Sequence, residues 1–379
     1  MYKLGIPFAI QLLAVAPSTL VMRILQICSA RSIGGGERHV AGLSNGLAKR
    51  GHHIFAAVAP NSPLAGELGD LPSENIARFS LRNAIDISST VKIVKFTRTN
   101  GIEIIHAHLA KDYPTVAAAA RLAGVPYVIT RHVLFPMSRL HRRLLSNAGA
   151  VIAISNAVAA SLRQQRIFPE EKLFAIRYGI DTESFPAHEP VRRDRLRVGA
   201  IGNLDPVKGF DVLIRAAAIV NDTRPEIEFE IVGEDRSRDG RNEMGLRRLI
   251  ADLGLEKTVI LSGWTSDVSS KLRDFDVFVS SSRSESFGAA IAEAMLSTVP
   301  VVASSTEGAM EIISDPSLGV VVPLDSPERL AEAILSLVDN DAKMNQLGRA
   351  GRDHVLKTFS LERMVDETES LYRRVISQA

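Results

Sequence analysis

Short apolar runs typical of buried parallel strands alternate along the chain with longer stretches of helical spacing. This alternation occurs in two successive halves, and each half opens with a strand, a glycine-bearing loop and a helix. A polar segment with proline and four arginines, over residues 186–197, separates the halves. The sequence therefore predicts an α/β protein with two doubly wound, Rossmann-like domains, over residues 22–190 and 195–360, followed by a helix over 361–379.

The composition is that of a globular protein without a bias toward polyanionic partners. Of the 379 residues, 46% are hydrophobic and the formal net charge is +2, which argues against disorder and against nucleic-acid binding. Aromatic residues make up 5%, which also disfavours a surface that stacks on bases. The single cysteine, Cys28, excludes an internal disulfide and fits a reducing compartment.

Residues 1–21 are interpreted as an extension or a mis-assigned start. The stretch is mostly apolar and has the character of a signal-peptide core. Pro7, Gln11 and Pro17 make it a poor membrane span. A regular strand pattern begins at Met22, which we take as the working start of the first domain.

The first two strands, residues 23–28 and 54–59, are joined by the glycine-rich loop 32–39 and an amphipathic helix. The loop is not of the G-x-G-x-x-G type, and no acidic residue closes the second strand, which disfavours a dinucleotide site. Gly35 and Gly36 are typical either of a tight turn that needs positive φ or of a backbone that approaches a ligand closely.

Histidines mark the ends of the next two strands, residues 102–108 and 127–130. His106 and His108 share one face of their strand because strand side chains alternate. Since no cysteine or carboxylate lies near them at ligand spacing, we predict no metal. His132 follows the next strand at the edge where doubly wound sheets bind ligands, although a structural histidine is the alternative there.

Residues 137–147 have the pattern of a basic amphipathic helix. Its leucines at 140, 144 and 145 form one stripe, and its arginines at 139, 142 and 143 form the opposite side. Such a helix either packs as an ordinary surface helix on its own domain or faces an anionic membrane or a phosphorylated lipid acceptor.

The second half repeats the alternation of strands and helices. Predicted strands cover residues 197–202, 228–233, 259–264, 276–279 and 299–303, and predicted helices begin at 210 or cover 246–253, 330–338, 344–359 and 361–376. The only tryptophan, Trp264, ends one of these strands, where it either packs in the domain core or contacts a ligand.

The segment over residues 285–295 joins two of these strands through a small-residue loop and a helix. Gly288 marks the helix start, and a helix N-terminus favours a phosphate because its N–H groups are unpaired. Glu285 and Glu293 are separated by ~12 Å of helical rise on nearly the same face, so they can bind hydroxyls at two ends of one elongated ligand. Ordinary roles, as a helix-dipole partner and an exposed helix glutamate, are the alternative.

This segment resembles the signature of the family-four retaining glycosyltransferases, and the resemblance extends from about Met22 to the end of the chain. The family has a GT-B fold, in which two Rossmann-like domains face a central cleft and the last helix returns to the first domain. The residues that match its signature are Glu285, Phe287, Gly288, Glu293, Ala294 and Met295.

The resemblance implies a role for each matching position. Glu285 would contact the donor sugar and Glu293 the ribose of a nucleotide-diphosphate sugar. The backbone of Gly35 and Gly36 would approach the donor phosphates. The helix start, with Phe287, Gly288 and Ala289, would belong to the same donor site.

Further matches lie outside the central segment. Lys208 would neutralise the diphosphate, His132 would contact the sugar from the opposite domain, and Trp264 would lie at the nucleotide base. Asn203 departs from the family, which commonly has an arginine at this position, and asparagine brings no charge. Arg283 is a candidate substitute for that arginine.

The function implied by the resemblance is hexosyl transfer with retention, without a metal or other cofactor. The donor would be a nucleotide sugar, with UDP favoured by family frequency, and the acceptor a glycan or lipid-linked molecule of cell-envelope synthesis. Nucleic acid is not an expected partner. We expect a cytoplasmic protein, with peripheral contact at the inner membrane face as a further option.

Other classes remain open on the sequence. An epimerase or phosphorylase would share the fold and act on a nucleotide sugar without the expected acceptor. A catalytically weak nucleotide-sugar-binding protein would be consistent with Asn203. A nicotinamide-dependent enzyme is disfavoured by the first loop.

Overall fold

The computed structural model describes residues 21–81, 86–187 and 195–379, and it omits the side chains of residues 139 and 140. The interpretation of residues 1–21 falls outside this part of the chain except for Val21, and so does the predicted boundary at residue 190. In the described ranges no helix has both the length and the apolar character needed to span a membrane.

The first half of the chain forms a parallel sheet in the order β3-β2-β1-β4-β5-β6-β7. Its strands are β1 (Arg23–Cys28), β2 (His53–Val58), β3 (Ile76–Arg78), β4 (Ile104–Ala107), β5 (Tyr127–Arg131), β6 (Ala150–Ala153) and β7 (Leu173–Ala175). Most of these strand residues are buried, as expected when helices cover both faces of a parallel sheet.

The second half forms another parallel sheet, in the order β10-β9-β8-β11-β12-β13. Its strands are β8 (Arg197–Ile201), β9 (Glu228–Val232), β10 (Val259–Gly263), β11 (Val277–Ser280), β12 (Val301–Ser304) and β13 (Val320–Val322). Strand order reverses beside β1 in the first sheet and beside β8 in the second. Such reversals open a crevice at the carboxyl ends of the strands.

Helices connect the strands of both sheets. Those of the first half are α1 (Gly35–Lys49), α2 (Leu64–Glu67), α3 (Ile87–Thr99), α4 (Tyr113–Ala123), α5 (Arg139–Leu144) and α6 (Asn156–Gln165). The later ones are α7 (Phe210–Asn221), α8 (Arg241–Asp252), α9 (Val268–Arg273), α10 (Ala289–Leu296), α11 (Glu307–Ile312), α12 (Pro327–Val338), α13 (Asp341–Thr358) and α14 (Leu361–Ser377). We call β1–β7 with α1–α6 the N-terminal lobe and β8–β13 with α7–α13 the C-terminal lobe.

Among the elements whose bounds differ from the predicted ones are β4, α5 and α8. The strand expected over residues 102–108 is limited to β4, because the N–H of Ile102 bonds to the carbonyl of Thr97 in a turn and His108 lies just beyond the strand. The basic helix expected over 137–147 is only α5. The helix expected over residues 246–253 is α8, which begins earlier, at Arg241, directly after Gly240 in a left-handed conformation.

The last helix returns to the N-terminal lobe, as predicted, and packs on α1. Glycines make room for it, since a Cβ at Gly46 would lie 2.7 Å from Cγ2 of Val365, and one at Gly149 would lie 2.6 Å from Cγ1 of Val375. Tyr372 on this helix is fully buried. The apolar side of α14 thus completes the core of the first lobe.

Two crossings connect the lobes, and they lie side by side. The N–H of Ile180 donates to the carbonyl of Phe359 at 2.8 Å, and the N–H of Leu361 donates to the carbonyl of Ile180 at 2.9 Å. These backbone bonds tie the segment that leaves the N-terminal lobe to the segment that returns to it.

We expect Gly46→Leu to lower the free energy of unfolding by ~1–3 kcal/mol, because a larger side chain overpacks the contact with Val365. Gly66→Leu is the control, since a Cβ at Gly66 has no heavy atom within 4 Å. Denaturant titrations of both variants measure the difference. Equal stabilities would show that close packing of α14 on α1 is not needed.

Candidate active site

A cavity of about 320 Å³ lies between the lobes, at the carboxyl ends of both sheets. Part of its wall on the N-terminal side is formed by Ile33 and Gly34 of the loop after β1 and by Gly35 and Gly36, the first two residues of α1. On the other side the wall is formed by the loops after β8, β9 and β11. The cavity therefore lies where the two strand-order reversals face each other.

Lys208 and Glu285 form an ion pair in this cavity. Nζ of Lys208 lies 2.6 Å from Oε1 of Glu285, and the hydroxyl of Ser282 donates to the same oxygen at 2.7 Å. Both side chains are mostly buried, with 28% and 15% of their surface exposed. Lys208 is therefore held beside the carboxylate expected to contact a sugar.

Gly209 fixes the position of Lys208. It adopts a left-handed conformation, with φ of 63°, and a Cβ there would lie 2.1 Å from the carbonyl oxygen of Ser281. The hydroxyl of Ser281 also donates to the carbonyl of Lys208 at 3.0 Å. A larger residue at position 209 would separate the lysine loop from the serine loop.

The start of α10 opens into the same cavity. Gly288 precedes the helix with φ of 94°, and Ala289 is its first residue. Both line the cavity, so the positive end of the helix dipole lies there. Glu285 lies in the loop before the helix, which corrects the expectation that Glu285 and Glu293 occupy one helical face.

Glu293 nevertheless lines the cavity from within α10. Its side chain is buried, and burial raises the pKa of its carboxyl, which the charges of Arg38 and Lys208 partly offset. Nη1 of Arg38 lies 3.8 Å from Oε1 of Glu293. Since Arg38 belongs to α1, this ion pair crosses from one lobe to the other, and the exposed-glutamate alternative is wrong.

The cations of the cavity are not the ones expected. Asn203 lines the cavity as predicted, but Arg283 does not. The guanidinium of Arg283 binds both carboxylate oxygens of Asp211, at 2.9 and 2.7 Å, which raises the pKa of the arginine. The guanidinium is therefore bound outside the cavity, and the prediction that Arg283 substitutes for the missing arginine is wrong.

Arg38 and Arg236 line the cavity together with Lys208. Arg236 donates to the carbonyl of Ile33 in the first loop at 2.9 Å, so it also bridges the lobes. Sequence reasoning missed both arginines. Their positions in the sequence could have indicated them, since Arg38 follows the glycines after β1 and Arg236 follows β9.

His132 lines the cavity and belongs to a cluster of buried imidazoles. Ring centroids lie 4.9 Å apart for His39 and His132, 5.8 Å for His108 and His132, and 4.0 Å for His106 and His108. Burial holds the pKa of each ring below its usual value, so all four are neutral near pH 7.

The prediction of no metal at His106 and His108 was based on the absence of cysteines and carboxylates close to them in the sequence. His39, His108 and His132 each offer a nitrogen within 4.8 Å of the others. They come from α1, from the end of β4 and from the end of β5. Since β1, β4 and β5 are consecutive in the sheet, the strand order typical of doubly wound sheets was the signal that could have found this cluster.

Two aromatic predictions have different outcomes. Trp264 lines the cavity with 54% of its surface exposed, so the alternative of core packing is wrong. Phe287 also lines the cavity but is almost fully buried. Its ring stacks on Tyr178 of the N-terminal lobe with centroids 5.0 Å apart, so its main contact joins the lobes.

Hydrogen bonds reinforce this contact between the lobes. The hydroxyl of Ser155, at the start of α6, donates to the carbonyl of Ser286 at 2.6 Å. Oε2 of Glu311 accepts from the N–H of Asn156 at 2.7 Å, and its other oxygen accepts from Arg177 at 3.1 Å. A carboxylate of the C-terminal lobe thus satisfies the first turn of a helix in the other lobe.

Two family models match consecutive parts of the chain. Residues 33–184 match the model described as Glycosyltransferase Family 4, and residues 181–354 match the model described as Glycosyl transferases group 1. The two matches meet at the first crossing between the lobes. This bears out the family resemblance seen in the sequence.

Curated relatives are similar over different shares of their length. The poly(ribitol-phosphate) alpha-N-acetylglucosaminyltransferase of Staphylococcus aureus (strain COL) is 29% identical over 223 residues, which are 59% of this chain and 43% of that relative. The D-inositol 3-phosphate glycosyltransferase of Paenarthrobacter aurescens (strain TC1) is 25% identical over 354 residues, covering 86% of this chain and 85% of that relative. The chain therefore spans less than half of the first relative and most of the second.

Solved structures match nearly the whole chain and confirm the predicted fold. The glycosyltransferase of Rickettsia africae ESF-5 aligns with a TM-score of 0.83 at 21% identity, covering 95% of this chain and 100% of that chain. Anabaena Alr3699/HepE in complex with UDP and glucose aligns with a TM-score of 0.81 at 22% identity, covering 92% and 98%. The two-lobed arrangement around a cleft is therefore that of the GT-B fold.

We expect Glu311→Ala to loosen the contact between the lobes, because the substitution removes the carboxylate that accepts from Asn156 and Arg177. A hydrogen bond to a charged group contributes ~1.5–3 kcal/mol. Small-angle scattering of the unliganded protein should give a larger radius of gyration than for the wild type. Glu307→Ala is the control, since that exposed residue starts the same helix and forms no ion pair within the described ranges. Unchanged scattering for Glu311→Ala would contradict the expectation.

Proposed function

Because the chain belongs to the glycosyltransferases of family 4 type with the GT-B fold, we propose that it transfers a hexose from a nucleotide-diphosphate sugar with retention of anomeric configuration. The acceptor is a glycan or a lipid-linked molecule. The observation that carries this proposal is the Lys208–Glu285 ion pair at the positively polarised start of α10. It puts a sugar-binding carboxylate and a phosphate-binding cation side by side.

The charges of the cavity suit a nucleoside diphosphate. Lys208, Arg38 and Arg236 line it together with the first turn of α10, against the two carboxylates Glu285 and Glu293. As the bond to the sugar breaks, negative charge grows on the departing diphosphate, and fixed cations and dipoles stabilise it without moving. The two arginines offset the charge that Asn203 does not supply, and no metal or other cofactor takes part in the transfer.

Glu285 is suited to orient the sugar. Its Oε1 is occupied by Lys208 and Ser282, whereas Oε2 forms no side-chain hydrogen bond within the described residues. That oxygen can accept a hydrogen bond from a sugar hydroxyl while the lysine stays in place. The carboxylate thereby couples the position of the sugar to that of the cation beside its leaving group.

His132 lines the cavity from the N-terminal lobe, and Glu285 lines it from the C-terminal lobe. Burial, together with the neighbouring His39 and His108, keeps the pKa of His132 well below its usual value. A neutral imidazole can donate or accept a single hydrogen bond, as a sugar hydroxyl requires. Closure of the lobes would complete the site from both sides.

The nucleotide is proposed to be UDP. Support comes from Anabaena Alr3699/HepE, whose structure contains UDP and glucose. Glu293 is proposed to bind the ribose, and Gly35, Gly36 and Ala289 to approach the phosphates. Exposed Trp264 would lie at the base, where its ring offers an apolar surface.

A role in cell-envelope polysaccharide or glycolipid synthesis, in the cytoplasm, is the wider proposal. The relative in Staphylococcus aureus is named for poly(ribitol-phosphate), and the one in Paenarthrobacter aurescens for D-inositol 3-phosphate. The exposed Arg142 and Arg143 of α5 are compatible with an anionic acceptor or an inner-membrane surface.

The deciding experiment is a screen of nucleotide sugars, with and without candidate acceptors, that follows release of nucleoside diphosphate. We expect one donor to be turned over, and Lys208→Ala to lower its kcat by ~10²–10³, as for loss of one donor to a developing anion. Lys257→Ala, an exposed lysine of the same lobe, should retain activity. Near-normal turnover by Lys208→Ala would remove the basis of the proposal.

The same screen separates the alternative functions. An epimerase would yield an altered nucleotide sugar without releasing nucleoside diphosphate. A catalytically silent binding protein would bind the nucleotide and leave every donor intact. Nuclear magnetic resonance of the product distinguishes retention from inversion.

We expect Glu293→Gln to weaken binding of the nucleotide identified by the screen by ~10-fold or more, because a hydrogen bond to a charged group contributes ~1.5–3 kcal/mol. Calorimetry should compare this nucleotide with its 2′,3′-dideoxy form. The wild type should discriminate strongly against the dideoxy form, and Glu293→Gln should lose most of that discrimination. If the discrimination persists in the variant, the ribose role belongs to another residue.

A further inference from the structure

The imidazoles of His39, His108 and His132 lie together without hydrogen bonds to one another, and His132 is the member of the cluster that lines the cavity. His39 and His108 have 3% and 2% of their surface exposed. Nδ1 of both rings and both nitrogens of His132 are buried and unpaired within the described part of the chain. Buried nitrogens normally have a hydrogen-bond partner. Since each neutral imidazole has one lone pair, the three rings together can offer three lone pairs to one shared partner.

The state of His108 is fixed by hydrogen bonds outside the cluster. Its Nε2 lies 2.8 Å from Oε1 of Gln26, and the amide group of Gln26 donates to the hydroxyl of Tyr372 at 3.2 Å. Since an amide oxygen only accepts, Nε2 of His108 carries the proton and Nδ1 presents a lone pair. Outer hydrogen bonds of this kind orient histidines that bind metals.

We propose that His39, His108 and His132 form a binding site for one divalent transition-metal ion of the zinc type. Their nitrogens lie within 4.8 Å of one another, and a tetrahedral ion with bonds of 2.0–2.1 Å would draw them to ~3.4 Å. Small rotations of the three rings supply this change. Three imidazoles without a carboxylate favour zinc, cobalt or nickel over magnesium or calcium.

Water takes the fourth position, on the side where His132 meets the cavity. The guanidinium of Arg131, which lowers the pKa of His132, opposes a cation and limits the affinity. An ion at this site withdraws the lone pair of His132 from a sugar in the cavity. The site is therefore inhibitory, and it is compatible with transfer that needs no metal.

The test begins with the full chain freed of metal by a chelator and titrated with Co²⁺ alone, followed by calorimetry and visible absorption. We expect one ion per chain with the absorption of a tetrahedral site. His39→Gln and His108→Gln should weaken binding by on the order of 100-fold, and Gln26→Leu by ~10-fold through the lost outer hydrogen bond. His53→Gln, an exposed histidine at the start of β2, should bind as the wild type does.

Absence of stoichiometric binding, or equal binding by all variants, would overturn the proposal. X-ray absorption of the zinc-loaded wild type gives a second answer that needs no substitution and is unaffected if a variant fails to fold. It should show three imidazole nitrogens at ~2.0–2.1 Å. Fewer imidazoles would equally overturn the site.

One further measurement rests on the proposed function. Zn²⁺ should inhibit the transferase at the concentrations at which it binds, and a chelator should restore activity. Because the binding experiments use no donor, a negative result there rejects the metal site alone. Failure of the donor screen rejects the transferase proposal and leaves the metal measurements valid.

Discussion

The site depends on keeping opposite charges close together in the cavity between the lobes. The ion pair between Lys208 and Glu285, at 2.6 Å, lies between two loops of the same lobe. Both groups are mostly buried, and the cost of removing two charges from water opposes their attraction, so the value of the pair lies in the position of its groups. Gly209 and Ser281 hold the lysine loop by backbone contact, and Ser282 holds the carboxylate. The ammonium group of Lys208 is therefore already in position when a phosphate enters the cavity.

The same constraint explains why groups from both lobes share the cavity. Arg38 reaches Glu293 from α1, and Arg236 reaches the first loop from the C-terminal lobe. Each of these arginines therefore already contacts the other lobe before a ligand binds. The stack of Tyr178 on Phe287 adds an apolar contact beside them. Binding and lobe closure consequently use the same side chains.

Much of the fold was predictable because its signals are local. Alternation of apolar strands with helices predicted most strands of both sheets, although not the short edge strands β3, β7 and β13. The glycine at position 288 marked the start of α10 within one residue. Asn203 and Lys208 were assigned to the donor site by the family resemblance, and Glu293 by helix spacing together with that resemblance. The resemblance supplied the arrangement of the lobes, which spacing could not give.

What the sequence did not predict depends on contacts between distant residues. Arg283 seemed free to bind a phosphate, but Asp211 and Asp325 occupy its guanidinium. The convergence of His39 with His132 follows from neighbouring strands that are far apart in the chain. The pairing of Glu311 with the start of α6 crosses between the lobes. Such contacts are set by tertiary packing, which local pattern does not encode.

The paired crossings between the lobes restrict how the cleft can open. A single connecting strand would allow one lobe to swivel about its own long axis relative to the other. Here the segments at Ile180 and Phe359 are hydrogen-bonded side by side. Two bonded segments oppose a twist of one lobe relative to the other more than a single segment does. We therefore expect the cleft to open by bending at this pair of segments.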